Sequence, residues 1–255
     1  MDNIEINLGH LPPKSREIAA GFSRALIDGF GDKLLSIIIF GSAARTTKSG
    51  APEDFKEGVS DINMAIVLDR VTSVELNMII NLSRKYQKGN LALPLIFKGD
   101  HIATSLDTFP LEFSDMKQRH ICIFGEDPLE NAVIENKNLR HQCEVEFKGK
   151  LVQLRRGYLA AGENKENLTA LLAASISSII AACRGMVRLK NQTPPDSVAD
   201  LLTLVAAHYS IEIEPVKRVW QLKRGEIEES TATLQILFDN YLKSIESLAN
   251  LVDKY

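Results

Sequence analysis

The spacing of hydrophobic residues changes about halfway along the chain. Up to residue 128, short apolar runs of strand length alternate with polar turns and amphipathic stretches. From Leu129 onward the apolar residues repeat at helical spacing throughout. The pattern therefore predicts an α+β protein, in which a small mixed sheet with flanking helices over residues 1–128 is followed by an all-α helical bundle over residues 129–255.

The first half is predicted to contain a sheet and the helices that flank it. Five short apolar runs are typical of strands, at residues 34–40, 61–68, 91–97, 109–113 and 120–124. The first run is apolar almost without interruption, which is typical of a central strand covered on both faces. Pro94 restricts the third run to a sheet edge, because proline cannot donate to a ladder. Helical spacing predicts helices at residues 15–30 and 73–88, the second with Ser73 as its N-cap, and a short one at 101–106.

The second half is predicted to be entirely helical. Its helices are expected at residues 138–159, at 166–189, at 197–208, from Pro215, and at 231–252. Residues 168–183 are apolar nearly all round, as in a helix that other helices surround. Short polar turns join the helices, so we expect a bundle with this helix at its centre.

Composition narrows the classes of function. The chain has 255 residues, of which 45% are hydrophobic, and a formal net charge of −3. A protein that grips a nucleic-acid backbone normally carries a net basic domain or stripe, so nucleic acid is not the expected partner. The three cysteines form no Cys-x-x-Cys pair, which argues against a disulfide framework or a zinc knuckle. No signal peptide or membrane span is predicted, and we expect a soluble, cytoplasmic protein.

Polar residues at the ends of two predicted strands form the candidate site. The first apolar run is followed by Gly41-Ser42, and the next opens with Asp61 and, two residues on, Asn63. Glycine lets the backbone approach a phosphate closely, and the serine adds a hydroxyl donor. Side chains two apart in a strand share a face, so Asp61 and Asn63 are expected on one face. The alternative is that Gly-Ser is an ordinary turn and Asp61 an ordinary strand-start residue.

These two motifs together resemble the nucleotidyltransferase superfamily of the DNA polymerase beta type, which includes the minimal and aminoglycoside-type nucleotidyltransferases. In that family a Gly-Ser turn binds the phosphates of a nucleotide, and an Asp-x-Asp or Asp-x-Glu pair holds magnesium. The resemblance implies that Gly41, Ser42 and Arg45 bind phosphate and that Asp61 and Asn63 bind Mg²⁺. Asn63 stands where the family has its second carboxylate, and it supplies an oxygen without a charge.

A third carboxylate in this family usually lies on a later strand of the sheet. Glu112 is the first choice, because it alternates with apolar residues in the predicted strand 109–113. It would act as a metal ligand or as a general base. Asp100 and Asp115 are rivals, and a solvated strand residue is the alternative for Glu112.

The long loop between the two motifs and the histidines complete the sequence picture. Residues 41–59 form a longer loop than the family usually has, and its glycines and basic residues predict a mobile, locally basic segment. The five histidines lack the spacing of metal ligands, so we assign them structural or surface roles.

Two functions follow from these expectations. The first is a nucleotidyltransferase-like protein that binds a nucleoside triphosphate, with ATP as the expected nucleotide, together with Mg²⁺. It would transfer a nucleotide to a hydroxyl of a small molecule or protein, with no membrane partner and with a homodimer formed through the helical domain. The second is a catalytically degenerate relative that binds nucleotide and acts as a regulatory or interaction module, which Asn63 favours.

Overall fold

The computed structural model describes residues 8–44, 60–86 and 89–255, and the described part of the chain confirms the α+β class. Its four strands are β1 Leu34–Phe40, β2 Asn63–Leu68, β3 Leu95–Lys98 and β4 His120–Gly125. They form one sheet in the order β3-β2-β1-β4. The first strand pairs antiparallel with both β2 and β4, whereas β2 pairs parallel with β3. The sheet is therefore mixed, as predicted.

The helices and short turns of the described residues complete the architecture. The helices are α1 Pro13–Phe30, α2 Ser73–Tyr86, α3 His101–Thr104, α4 Pro110–Gln118, α5 Asn136–Ala161, α6 Lys165–Leu189, α7 Val198–Tyr209, α8 Glu214–Lys223 and α9 Thr231–Asp253. Two 3-10 turns, Gly31–Lys33 and Gly41–Ala44, flank β1 on either side.

The sheet is covered on both faces. On one face, Ile37 and Ile39 of β1 lie in an apolar cluster with residues of α1 and α2. On the other face, Ile38 lies in a second cluster with Phe113 and Met116 of α4. Because side chains alternate along a strand, a central strand buried on both faces must be apolar throughout, which explains the nearly unbroken run in β1.

Several predicted elements differ from the observed ones. Of residues 109–113, predicted as a strand, all but Phe109 belong instead to α4, and Glu112 lies in its first turn. The five-residue alternation fitted a strand, but Phe113 and Met116 are three apart and face the sheet together, which is helical spacing. β2 begins at Asn63 rather than at residue 61. β3 begins only after Pro94, which agrees with the missing donor of proline.

Contacts divide the chain into two compact units. One consists of Met1–Leu106 and Glu112–Val133, and the other of Asp107–Leu111 and Ile134–Tyr255. The chain thus enters the helical unit briefly at residues 107–111, returns, and enters it again at residue 134.

The helical unit is built around α6. This helix packs against α5, α7, α8 and α9, and its buried residues lie in the large apolar cluster of the unit. By length and composition α6 could also cross a membrane, a property that the sequence analysis assigned to no segment. Of its most apolar window, 56% is buried inside the protein, which is the behaviour of a core helix.

A reciprocal cap begins α2. The backbone N–H of Thr72 donates to the Glu75 carboxylate at 3.0 Å, as does the Thr72 hydroxyl. In return, the Thr72 hydroxyl accepts the N–H of Val74 at 3.2 Å. This is a capping box with Thr72 as the N-cap, so the prediction of Ser73 as the cap is wrong. The Thr72 hydroxyl first, and then backbone donors and Arg70, lower the pKa of Glu75 from 4.5 to about 2.

We predict that Glu75→Gln changes the acid stability of the sheet unit. Because the pKa of Glu75 is depressed in the folded state, its stabilising effect is complete above pH 4.5 and is lost as the pH falls towards 2. The variant should unfold more easily than the wild type at pH 7, and the difference should shrink as the pH falls through this window. Urea midpoints measured across this range, with the exposed Glu163→Gln as control, check the expectation. Parallel curves for wild type and Glu75→Gln would contradict it.

Two helical glycines make a matched test of packing in the bundle. A Cβ on Gly185 would lie 2.4 Å from the Cys143 sulfur and 2.6 Å from Leu111 Cδ2, whereas one on Gly149 would meet nothing within 4 Å. We expect Gly185→Ala to cost about 1–3 kcal/mol through overpacking. Gly149→Ala should stabilise by up to about 1 kcal/mol, since alanine favours the helix. Thermal unfolding distinguishes the two, and an equal response would show that α6 tolerates a methyl group here.

Candidate functional site

Three strands place their site residues in one row. Phe40, at the end of β1, lies opposite Asn63 of β2 on one side and opposite His120 of β4 on the other. Directly opposed residues of neighbouring strands share a face of the sheet. Phe40 packs against the apolar cluster of Ile38 and Phe113. Asn63 and His120 therefore flank Phe40 on the face that α4 covers.

The Gly-Ser turn begins where this row ends. Gly41 has a φ of +75°, in the left-handed region that favours glycine. Its N–H donates to the Arg119 carbonyl at 3.0 Å, which ties the turn to the start of β4. A Cβ on Gly41 would lie 3.5 Å from Nδ2 of Asn63. The turn therefore lies beside Asn63. Because the Gly41 N–H is already bonded to Arg119, Gly41 offers a ligand close approach to the backbone but no free N–H.

Burial and a contact with His10 hold the rest of the turn in place. Ala43 and Ala44 are buried, and the Ala43 carbonyl lies 2.7 Å from Nε2 of His10. Ser42 is half-buried, so it lies at the surface of an anchored turn. Arg45 and the predicted mobile, basic loop that follows it lie outside the described residues.

Asp61 and Asn63 lie on either side of a firmly held residue. Ile62 is fully buried, its N–H donates to the Asn90 carbonyl at 2.8 Å, and its carbonyl accepts the Ala92 N–H at 3.1 Å. Because Ile62 points into the core on the α1 side of the sheet, alternation directs its two neighbours to the other face. Asp61 is exposed and Asn63 half-buried.

The candidates for a third carboxylate do not lie on strands. Glu112 is exposed in the first turn of α4. It lies six residues before the last residue of this helix, Gln118, a distance of about 9 Å along the helix axis. Asp100 lies beside α3, and a hydrogen bond from Lys98 at 3.0 Å lowers its pKa. Asp115 is half-buried on α4. Neither β3 nor β4 contains an Asp or Glu, so the later strands supply no carboxylate.

The donor set limits what metal the site can hold. Within the described residues, no group of three or more His, Cys, Asp or Glu side chains could hold a metal ion. Mg²⁺ is commonly held by one or two carboxylates together with the phosphates of a substrate. Asp61 and the Asn63 oxygen fit a Mg²⁺ ion that arrives with phosphates, and they do not fit a resident ion held by protein ligands alone.

His120, to which the sequence analysis gave a structural or surface role, lies in the same row of the sheet as Asn63. Its Nε2 lies 2.8 Å from a carboxylate oxygen of Asp127, and its Nδ1 lies 3.0 Å from the Lys117 carbonyl. Its side chain is only 12% exposed. The strand register, which the sequence does not reveal, is what brings His120 into line with Asn63.

The described residues share their fold with a solved adenyltransferase. The chain is similar to spectinomycin adenyltransferase AAD(9) from Enterococcus faecialis, whose crystal structure contains ATP and spectinomycin. The TM-score is 0.54 at 14% sequence identity, and the match covers 93% of this chain and 98% of the adenyltransferase. At this identity the likeness shows the fold alone. No family model matches the chain, and no curated protein matches it in sequence.

We predict that Gly41→Ala destabilises the sheet unit. A non-glycine residue in the left-handed region costs about 1–2 kcal/mol, and the added methyl group would contact Asn63. Ser42→Ala keeps the backbone and should change the free energy of unfolding by less than about 0.5 kcal/mol. Urea unfolding of both variants checks this pair, and equal losses would show that the turn does not require its left-handed glycine.

Proposed function

We propose that this protein is a nucleotidyltransferase that binds a nucleoside triphosphate, ATP in the first instance, and transfers its nucleotide to a hydroxyl of a small molecule. The observation that carries the proposal is the approach of the Gly41-Ser42 turn to Asn63, with Asp61 two residues away on the same face. The fold supports it, since the match to a protein crystallised with ATP and spectinomycin extends over 93% of the chain.

Each residue of the site has a role in this proposal. The Gly41-Ser42 turn receives the phosphates, where the missing side chain allows close approach and the Ser42 hydroxyl donates. Asp61 and Asn63 orient the triphosphate together with the Mg²⁺ that accompanies it. That ion, when bound, offsets phosphate charge and polarises the oxygens around the reacting phosphorus. Arg45 remains a proposed phosphate ligand on the strength of the sequence.

Transfer joins the acceptor hydroxyl oxygen to the α-phosphorus and breaks its bond to the leaving pyrophosphate. The proton of the acceptor must pass to a base, for which Glu112 remains the proposal that the sequence makes. Glu112 lies on a helix rather than on a strand beside Asp61. The proposal further includes a cytoplasmic location and a homodimer formed through the helical unit.

A second function has its own supporting observations. Asn63 replaces a charged metal ligand, and neither β3 nor β4 carries a carboxylate. A site with these features can bind nucleotide while lacking the charge that phosphoryl transfer requires. The second candidate is therefore a degenerate nucleotidyltransferase that binds nucleotide and works as a regulatory or interaction module.

Titration calorimetry with ATP, with and without Mg²⁺, tests the site. We expect Mg²⁺ to strengthen ATP binding by the wild type, and Asp61→Asn to remove most of that effect because it deletes the charged ligand. Asn63→Asp should strengthen the Mg²⁺-dependent affinity by about tenfold, or about 1.4 kcal/mol, since it restores a second carboxylate. Glu163→Gln, an exposed acid of the helical unit, is the matched control.

Turnover then separates the two functions. Pyrophosphate release from ATP, measured with the wild type and Asn63→Asp, should be detectable for a transferase. Mg²⁺-dependent binding with no release in either protein supports the degenerate function instead. If Mg²⁺ does not change the ATP affinity of either protein, the enzyme proposal fails and the metal ligands are wrongly assigned.

A further inference from the structure

We propose that His120 is a positioning residue for the Gly-Ser turn and that it holds the turn only in its imidazolium form. The proposal deepens the proposed function, and its nucleotide-binding part rests on that function. Its structural part concerns the bond between Gly41 and Arg119 and can be tested without any ligand.

Both ring nitrogens of His120 face oxygens that can only accept. Nδ1 lies 3.0 Å from the Lys117 carbonyl, and Nε2 lies 2.8 Å from Oδ2 of Asp127. The other oxygen of Asp127 accepts the Leu129 N–H at 2.9 Å, which fixes the carboxylate. The imidazolium ion donates to both oxygens, whereas neutral imidazole has a single N–H and leaves a lone pair facing an acceptor.

The ring joins three segments that meet at the turn. Lys117 lies in the last turn of α4, where carbonyls lack helical partners and the helix dipole favours a cation. His120 starts β4, and Asp127 follows that strand. Arg119, between the helix and the strand, gives its carbonyl to the Gly41 N–H at 3.0 Å. If the ring loses one of its two hydrogen bonds, Arg119, whose carbonyl anchors Gly41, is therefore held less firmly.

Other charged groups around His120 do not replace its proton. The Lys117 ammonium donates to the Ala132 carbonyl at 2.6 Å and so is held away from the ring. Burial first, and then Asp127, raise the pKa of Cys122 to about 11, so that thiol stays neutral. β1 contributes no titratable side chain, and the acid described at the start of the adjoining β2 is Asp61, beyond Asn63. Arg119 stays cationic throughout the physiological range.

The direction of the pH dependence follows from the donors. The imidazolium form supplies two N–H groups, so the anchoring is present while the ring carries both protons and is lost when a rise in pH removes one of them. A charge-assisted hydrogen bond of this kind is worth about tenfold in an equilibrium. We therefore expect about tenfold less protection of the Gly41 amide at pH 8 than at pH 5.5.

Hydrogen exchange of the Gly41 amide in the full chain without ligand, corrected for the intrinsic effect of pH on exchange, measures this. His120→Gln has a single donor nitrogen and a carbonyl oxygen at any pH, so it cannot donate at both positions of the ring nitrogens, and it should show low protection at both pH values. His208→Gln, which alters a histidine of the helical unit bonded to Gln192, should follow the wild type. Wild-type protection that does not change with pH, or a His120→Gln variant that behaves like the wild type, would overturn the proposal.

Asp127→Asn tests directly whether Asp127 selects the imidazolium form. It also tests the proposal if His120→Gln does not fold. Its Oδ1 can still accept from Leu129, while its new N–H₂ group donates to Nε2 of neutral imidazole. This variant should keep its Gly41 protection at pH 8, unlike the wild type. A fall in protection with pH as large as that of the wild type would show that Asp127 does not select the imidazolium form.

ATP titration at the two pH values separates this proposal from the proposed function. Wild-type affinity about tenfold lower at pH 8, and unchanged by pH in Asp127→Asn, supports a positioning role. If Gly41 protection behaves as expected but ATP does not bind at either pH, the proposed function fails and the anchoring by His120 stands. Equal affinities at both pH values, with protection lost at pH 8, would overturn the link between the anchor and nucleotide binding.

Discussion

The pairing of β1 with a neighbour on each side is the constraint on which the site depends. Its antiparallel registers set Asn63 and His120 on either side of Phe40. The next residue, Gly41, is then bonded to the residue that precedes β4. A slip of one residue in either register would turn a polar side chain towards the core and detach the turn. The apolar run of β1, buried on both faces, is what makes such a slip costly.

Much of the fold could be predicted from spacing alone. The periodicity located β1, α1 and the helices of the second half, because long amphipathic or apolar stretches leave little choice of structure. It failed at residues 109–113, where five residues fit both a strand and the start of a helix, and only the contacts of Phe113 and Met116 with the sheet decide between them. The sequence names Gly41 and Asp61 as candidate site residues, but it could not predict that His120 aligns with Asn63, because strand register is a tertiary property.

Few charged side chains lie among the described residues of the candidate site. In the described part of the chain, the four strands themselves contain no Asp or Glu; Asp61 lies just before β2, and Asn63 beside it is neutral. On the opposite side of Phe40, His120 and Asp127 form a pair close to overall neutrality when the ring is charged. Among the described residues, a ligand rich in phosphate would therefore encounter backbone, hydroxyl and amide groups around one acid, and a counterion that arrives with the ligand would offset part of its charge.

The return of the chain at residues 107–111 bears on how this protein can be divided. Leu111 lies in the core of the helical unit, and its N–H donates to the Gln142 side chain at 2.7 Å, yet the residues that follow it in α4 belong to the sheet unit. If the chain were cut near residue 128, residues 107–111 would remain on the N-terminal fragment, although they belong to the helical unit. The helical fragment would lose a core side chain, and the other would expose one to water. The two compact units are interleaved along the chain, so neither could be exchanged by joining sequences end to end.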